Sequence, residues 1–173
     1  DPKWKGKILS DDVRALGGGS VMFFVLYDKL GREFHEKLAT NEPVWSRDQR
    51  TSERRVARGE YPIWIPMTTN SYAAMKGLPV KLVTPKEGYT YITYEVALLK
   101  NAPHPNAARL LMNYFLSDEA QLIHDSQGLT MVTKVAAPPT NQEANAIRNG
   151  HLLGTTDASR QDEMLKLAKE IYK

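Results

Sequence analysis

Residues 7–38 read KILSDDVRALGGGSVMFFVLYDKLGREFHEKL, and this stretch contains a strand, a turn and a helix in succession. The strand is the short apolar run at residues 7–9. The turn contains three consecutive glycines and ends at Ser20, a residue type that favours the N-cap of a helix. A helix is predicted over residues 21–38, because its apolar side chains recur at the spacing of one helical face. These side chains are Phe23, Tyr27, Leu30, Phe34 and Leu38.

The same alternation continues to about residue 99. Strands are predicted at residues 43–45, 61–66, 80–83 and 91–99, and helices at residues 51–58 and 71–76. Helices then follow at residues 106–116, 117–127 and 157–172, with a proline-containing loop at residues 136–140. This order predicts an α/β fold, with a mixed, mostly parallel sheet flanked by helices and a C-terminal helical segment.

The composition is that of an ordinary folded domain. The 173 residues are 42% hydrophobic and 25% charged, and the formal net charge of +3 comes from interspersed signs. The densest basic stretch, residues 47–58, is interpreted either as the solvated face of a helix or as a polyanion-binding patch. Such a patch would need interleaved aromatic residues or a nucleic-acid motif, and the stretch has neither. We therefore expect no nucleic-acid partner.

The sequence contains no pattern of catalytic or metal-binding residues. The absence of cysteine excludes disulfides, thiolate metal sites and cysteine nucleophiles. No serine lies in a nucleophile elbow, and no acid–base pair is supported by its position. The four histidines lack metal-ligand spacing; they are His35, His104, His124 and His151. We therefore predict no enzymatic activity, no metal site and no cofactor.

Candidate ligand-binding residues lie in the loops that follow the predicted strands, because ligands of open α/β sheets bind beyond the C-terminal strand ends. Gly18, Gly19 and Ser20 lead into the first helix, where free N–H groups and the helix dipole suit an anion. The alternative is a flexible connector with an ordinary N-cap, since the glycines match no complete phosphate-binding motif.

The next two loops contribute polar side chains. Ser46 and Arg47 follow the second strand, and Arg47 can hold a carboxylate or phosphate through two parallel hydrogen bonds. The alternative for Arg47 is a surface salt bridge with Asp48. The loop after the third strand offers hydroxyl and amide groups, which serve either a ligand or ordinary turn and cap hydrogen bonds. Its polar residues are Thr68, Thr69 and Asn70.

Two aromatic residues near a predicted strand end complete the candidate site. Tyr91 and Tyr94 begin the predicted strand at residues 91–99. They are candidates for stacking on an organic ligand, and packing in the core is the alternative for both.

Several segments together resemble one family, the bacterial extracellular solute-binding proteins of the ferric-ion, thiamine and related type. DPKWKGKI at residues 1–8 resembles the segment that enters the second lobe of these proteins, and VARGEYPI at residues 56–63 is similar to a helix–Gly–Glu–strand element of that lobe. The most specific resemblance is LLKNAPHPNAAR at residues 98–109, continued by YFLSDEAQ at residues 114–121.

The resemblance implies the second lobe of a two-lobed periplasmic-binding-protein-like fold, which closes on its ligand like a hinged trap. Residues 1–90 would then form the ligand-binding α/β region, residues 91–100 a hinge or crossing strand, and residues 101–173 a helical region that packs on the lobes. Most of the first lobe is expected to lie outside this chain.

The resemblance also implies partners and a location. We expect a monomeric protein that binds a small molecule and delivers it to the permease subunits of an ABC transporter in the membrane. The protein is expected in the periplasm, or attached to the outer face of the membrane by a lipid anchor if the bacterium is Gram-positive.

The chain departs from the ferric-ion-binding members of the family in one loop. Those proteins carry two adjacent tyrosines where this chain has MTTN at residues 67–70. Neutral oxygens are poor ligands for a hard trivalent ion, so we expect a small organic anion instead of iron. The alternatives are a ferric-ion-binding protein whose hard ligands come from the first lobe, and the ligand-sensing domain of a transcription regulator.

Overall fold

The structure is a computed structural model that describes residues 1–135 and 138–173. Of the predicted loop at residues 136–140, residues 136 and 137 therefore lie outside the described residues. The strands and helices, in chain order, are β1 (Ile8–Asp11), α1 (Gly18–Ala39), β2 (Val44–Ser46), α2 (Gln49–Ala57), β3 (Ile63–Ile65), α3 (Thr69–Ala74), β4 (Tyr89–Thr90), α4 (Pro105–Phe115), α5 (Asp118–Ser126), α6 (Gln142–Arg148), β5 (Leu152–Gly154) and α7 (Gln161–Ile171).

The first three strands form a parallel sheet in the order β2–β1–β3. Leu9 in the central strand is paired with Val44 on one side and with Trp64 on the other. Because β2 and β3 flank β1 on opposite sides, right-handed crossovers place α1 and α2 on opposite faces of the sheet. The loops that lead into α1, α2 and α3 all begin at the edge formed by the C-terminal ends of these strands. The predicted α/β fold, with parallel strands and flanking helices, is confirmed and is consistent with one lobe of a periplasmic-binding-like protein.

A second, small parallel sheet was not predicted from the sequence. It pairs β4 with β5, so that Tyr89 is opposite Leu152 and Thr90 is opposite Gly154. Both strands are too short to give a sequence pattern of their own. Their pairing connects the chain after α3 to the segment before α7.

The longest helix is bent. α1 begins at Gly18, three residues before the predicted start, and it has non-helical backbone angles at Gly31 (φ 76°, ψ 179°). On the two sides of this bend, Leu30 is 40% exposed, whereas His35 is fully buried. The predicted apolar face is therefore correct for Phe23 and Tyr27 but wrong for Leu30.

The main hydrophobic core lies between α1 and α7. Phe23, Met164 and Ala168 are fully buried there, beside the partly buried ring of Trp45. Burial of a side chain such as Phe23 stabilises a fold by about 1.5–3 kcal/mol. The predicted C-terminal helix thus packs on the α/β layer, and the predicted helices at residues 106–116 and 117–127 correspond to α4 and α5.

Two predicted strands do not form. Residues 80–83 and 91–99 have no strand pairing with any described residue. Tyr94, in the second segment, is 76% exposed. A sequence rich in β-branched and aromatic residues becomes a strand only when a neighbour supplies hydrogen bonds and packing. The strand predictions for these two segments are wrong for the described chain.

No helix in the described part of the chain has both the length and the hydrophobicity of a membrane span.

Candidate functional site

Two clefts lie beside the C-terminal edge of the three-stranded sheet. The larger has a volume of about 650 Å³, is open to solvent, and lies between the starts of α2 and α3 and the segment after α5. This volume suits a small organic molecule. The polar residues that line it are Arg47, Asp48, Gln49, Arg50, Glu53, Asn70 and Gln127. The smaller cleft, of about 210 Å³, lies beside the start of α1 and is mostly apolar.

The start of α1 is held by groups of the chain itself. The Gly19 N–H donates to Asp11 Oδ2 at 2.7 Å. The Ser20 hydroxyl accepts from the Gly17 N–H at 3.1 Å and donates to the Gly17 carbonyl at 2.9 Å. The carboxylate of Asp11 therefore occupies the place where an anionic ligand was expected. A ligand role for Gly18, Gly19 and Ser20 remains a prediction.

Arg47 follows β2 and borders the larger cleft with an exposed side chain. The predicted alternative, a salt bridge with Asp48, is not formed among the described residues. Asp48 instead caps α2, because its carboxylate accepts from the Thr51 N–H at 3.1 Å and from the Thr51 hydroxyl at 2.7 Å. These hydrogen bonds hold the pKa of Asp48 below its usual value, so this carboxylate is charged at neutral pH.

Hydrogen bonds connect the loops after β2 and β3. Gln49 Nε2 donates to Thr68 Oγ1 at 3.3 Å and also contacts Ser71 Oγ. The Thr68 hydroxyl donates to Ser71 Oγ at 3.2 Å, and Ser46 Oγ accepts from Ser52 at 2.9 Å. The structure thus brings the predicted loops together. Sequence reasoning missed Gln49, whose only signal was its position two residues after Arg47.

The end of α5 forms another wall of the larger cleft. Gly128 packs so closely on the first turn of α3 that a Cβ at this position would lie 2.7 Å from the Thr69 carbonyl oxygen. Gln127 and Leu129, on either side of this glycine, therefore border the cleft together with Asn70. The sequence indicated Gly128 only as the end of a helix.

Charges of both signs lie along the sheet edge. Arg14 Nε is 2.8 Å from Asp12 Oδ1, and the guanidinium lies 5.1 Å from the centre of the Trp45 ring. Burial raises the pKa of Asp12. The hydrogen bonds and charge of Arg14, with a contribution from Arg47, lower it by a larger amount, so the net shift is downward. Asp12 is therefore ionised, whereas Arg47 is exposed and forms no ion pair with a described residue.

The two candidate tyrosines are not part of either cleft's described lining. Both are exposed, and the Tyr91 N–H donates to the Gly154 carbonyl at 3.1 Å. The intervening Ile92 passes over the start of α1, within 4.0 Å of a Cβ built on Gly18. Stacking of Tyr91 or Tyr94 on a ligand remains a prediction.

Residues 1–135 and 138–173 contain no group of three or more His, Asp or Glu side chains placed to hold a metal ion.

Comparisons with known proteins agree with the architecture. Residues 7–130 match the family described as bacterial extracellular solute-binding protein. A Haemophilus influenzae protein carrying the name "Uncharacterized protein" is 29% identical over 158 residues, which cover 86% of this chain and 45% of the relative. This chain thus spans less than half the length of that relative. No solved structure gives a significant match. Because the family match covers well over half of the chain, the chain belongs to the bacterial extracellular solute-binding protein family.

Proposed function

We propose that this chain forms part of a protein that binds a small organic anion outside the cytoplasmic membrane and delivers it to the permease subunits of an ABC transporter. Membership of the family supports solute binding outside the cell in general. The family is one of binding proteins and not of enzymes. The observation that supports an anionic solute is the exposed Arg47, which follows a parallel strand and borders a cleft of about 650 Å³.

The anion is expected at Arg47 and not at the start of α1. The carboxylate of Asp11 already accepts the Gly19 N–H, and it would repel a second anion at that helix start. A guanidinium without an ion pair can instead form two parallel hydrogen bonds to a carboxylate or phosphate. Asn70 borders the same cleft with a neutral amide, and Ser46, Thr68 and Thr69 are proposed to add hydroxyl groups from the adjoining loops.

Iron is the weaker alternative as a cargo. The loop at residues 67–70 offers hydroxyl, amide and thioether groups, which are poor ligands for a hard trivalent cation. Iron binding would require hard ligands from the expected first lobe. A ligand-sensing domain of a transcription regulator can share this architecture, and an upstream DNA-binding helix pair in the full-length protein would identify it.

The proposal includes a location and an assembly state. We expect the full-length protein to be monomeric and to act in the periplasm, or to be lipid-anchored if the host is Gram-positive. Fractionation of the host cells and size-exclusion chromatography of the mature protein test these two statements.

Native mass spectrometry of the full-length mature protein, purified without refolding, tests the cargo. We expect a bound organic acid or phosphate that is lost from the Arg47→Ala variant. Bound iron would overturn the choice of an organic anion. The binding function itself fails if no solute is retained and a thermal-shift screen of organic anions finds none.

A further inference from the structure

The larger cleft contains two cationic side chains. Arg50, on the first turn of α2, borders it together with Arg47. Neither guanidinium forms an ion pair with a described residue. By contrast, Arg55 on the same helix is paired with Glu60 at 3.1 Å and donates to the Tyr61 hydroxyl at 2.6 Å. Both guanidinium groups therefore lack a direct ion pair among the described residues and can contact a ligand.

The two carboxylates in the cleft are also without an ion pair among the described residues. Glu53 lies three residues after Arg50, so both side chains project from the same side of α2. It borders the cleft, is only partly exposed, and forms no ion pair among the described residues. The other acid in the lining, Asp48, uses both carboxylate oxygens to cap α2 at Thr51. Asp48 keeps its negative charge, but its oxygens are occupied, so the two guanidinium groups and the Glu53 carboxylate are the charged groups free to contact a ligand.

Neutral groups complete the lining. The side-chain amides of Asn70 and Gln127 come from α3 and from the end of α5, opposite α2. Ala74 and Leu129 add small apolar surfaces. Amide groups donate and accept hydrogen bonds equally well, so they accommodate either end of a polar ligand.

We infer that this cleft binds a small zwitterion, with a doubly charged oxyanion end at Arg47 and Arg50 and an ammonium end at Glu53. The inference rests on the proposed function and specifies its ligand. Two negative charges match two guanidinium groups, and one ammonium matches one carboxylate. An amino phosphate and an amino dicarboxylate share this chemistry.

Calorimetric titration of the full-length protein with matched pairs of probes tests the inference. Phosphoethanolamine is compared with ethyl phosphate, and aspartate with succinate, because each pair differs chiefly in the ammonium group. We expect the amino compound to bind at least about tenfold more tightly in one pair, since ion pairs with a partly desolvated carboxylate add about 1.4 kcal/mol or more. The pair that binds identifies the oxyanion. The inference is overturned if amine-free probes bind equally well, or if none of the four binds at millimolar concentration.

Two variants assign the ends of the ligand. Arg50→Ala is expected to weaken both members of the binding pair by about 10- to 100-fold. Glu53→Gln is expected to abolish the preference for the amino compound while leaving the affinity for its amine-free partner nearly unchanged. Arg58→Ala, an exposed arginine outside the cleft at the C-cap of α2, is the matched control and should bind like the wild type. Thermal unfolding of each variant verifies that it is folded.

Failure of this inference is distinguishable from failure of the proposed function. If the full-length protein carries a native solute that the Arg50→Ala and Glu53→Gln variants retain equally well, the zwitterion site is wrong and solute binding stands. If the wild type carries no solute, binds none of the four probes, and the thermal-shift screen of organic anions also finds none, both are wrong.

Discussion

Arg47 and Asp11 carry opposite charges at the same edge of the sheet, and they act on different partners. The Asp11 carboxylate accepts the Gly19 N–H at 2.7 Å and so stabilises the start of α1 within the chain. Arg47 forms no ion pair with a described residue, and its side chain is exposed. The first contact supports the fold, whereas the second side chain is available to a ligand.

Replacement of Arg47 by alanine should therefore weaken binding and leave stability nearly unchanged. Loss of a charge-assisted hydrogen-bond pair costs about 1.5–3 kcal/mol, or roughly 10- to 100-fold in affinity. Calorimetry of ligand binding, combined with thermal unfolding of the same variant, measures both effects. The Arg58→Ala variant should match the wild type in both measurements. Unchanged affinity in Arg47→Ala would remove this residue from the site.

His35 is the most deeply buried titratable group of the main core. Its Nδ1 lies 2.8 Å from the Tyr172 hydroxyl, and its Nε2 has no hydrogen-bond partner among residues 1–135 and 138–173. Burial lowers the pKa of His35 to about 4, and burial also raises the pKa of Tyr172. Both rings are therefore neutral at physiological pH, and their hydrogen bond joins α1 to the end of α7.

Stability should decrease as the pH falls from about 6.5 to about 4. Histidine in an unfolded chain has a pKa of about 6.5. Between the two pKa values the unfolded state binds the proton and the folded state does not, so acid favours unfolding. The contribution of neutral His35 to the free energy of unfolding is fully present above about pH 6.5. Its loss at low pH lowers the stability by at most about 3 kcal/mol.

Urea unfolding at several pH values measures this dependence. The His35→Asn variant keeps a polar group near Tyr172 but does not titrate, so its stability should vary less with pH than that of the wild type. His151→Asn, at an exposed position, should keep the wild-type dependence. If the wild type and His35→Asn showed equal pH dependence, protonation of His35 would not be the cause of the loss of stability in acid.

At the scale of elements, the glycines of α1 serve different purposes. A Cβ at Gly19 would lie 2.4 Å from the Asp11 carbonyl oxygen, so the close approach of β1 to α1 requires glycine. A Cβ at Gly18 would meet the end of the Asp11 side chain at 3.3 Å, which a small side-chain movement relieves. The start of α1 should therefore not accept a side chain at Gly19 but should accept a small one at Gly18.

Gly19→Ala should destabilise the protein by about 1–3 kcal/mol, because the backbones of β1 and α1 would have to move apart. Gly18→Ala is the matched control and should have a clearly smaller effect. Chemical denaturation of both variants gives the two free energies of unfolding. Similar stabilities for the two would show that β1 and α1 are not in close contact.

The helix α4 is amphipathic but contains no buried residue. Leu110, on its apolar side, is 72% exposed, and Leu111 and Tyr114 are exposed with it. The extended segment at residues 91–99 also presents exposed apolar side chains. No described residue buries these apolar side chains. Their exposure supports the proposal that residues 101–173 pack on both lobes of a larger protein.

At the scale of the whole molecule, we propose that residues 1–90 form the ligand-binding part of the second lobe and that residues 91–100 form a hinge or crossing strand. The backbone of residues 91–99 has no strand partner among the described residues. In a two-lobed protein, a strand of the first lobe would provide one, and the hinge would then allow the lobes to close.

Hydrogen exchange measured by mass spectrometry tests this arrangement. Amides of residues 92–99 should exchange rapidly in the 173-residue chain and slowly in the full-length protein, because strand pairing protects them. Peptides from β1 provide the control, since its pairing with β2 and β3 is complete within this chain. Rapid exchange of residues 92–99 in both proteins would contradict the crossing-strand proposal.

The sequence by itself determined the features that depend on neighbouring residues. Helical spacing predicted α1 and α7, the capping serine before Asp118 predicted the start of α5, and alternation predicted the α/β class. It also indicated the family, because the motif segments at residues 98–109 and 114–121 lie close together in the sequence.

Only the tertiary structure decided which distant segments meet. His35, which follows the Gly31 bend, is buried in the core, and close packing at Gly128 places the end of α5 at the cleft beside α3. The segment at residues 91–99 has strand propensity but no partner in the described chain. Local sequence patterns indicate the preferred backbone conformation and the face that a side chain occupies. Strand pairing, helix phase after a bend and the walls of a cleft depend instead on contacts between residues far apart in sequence.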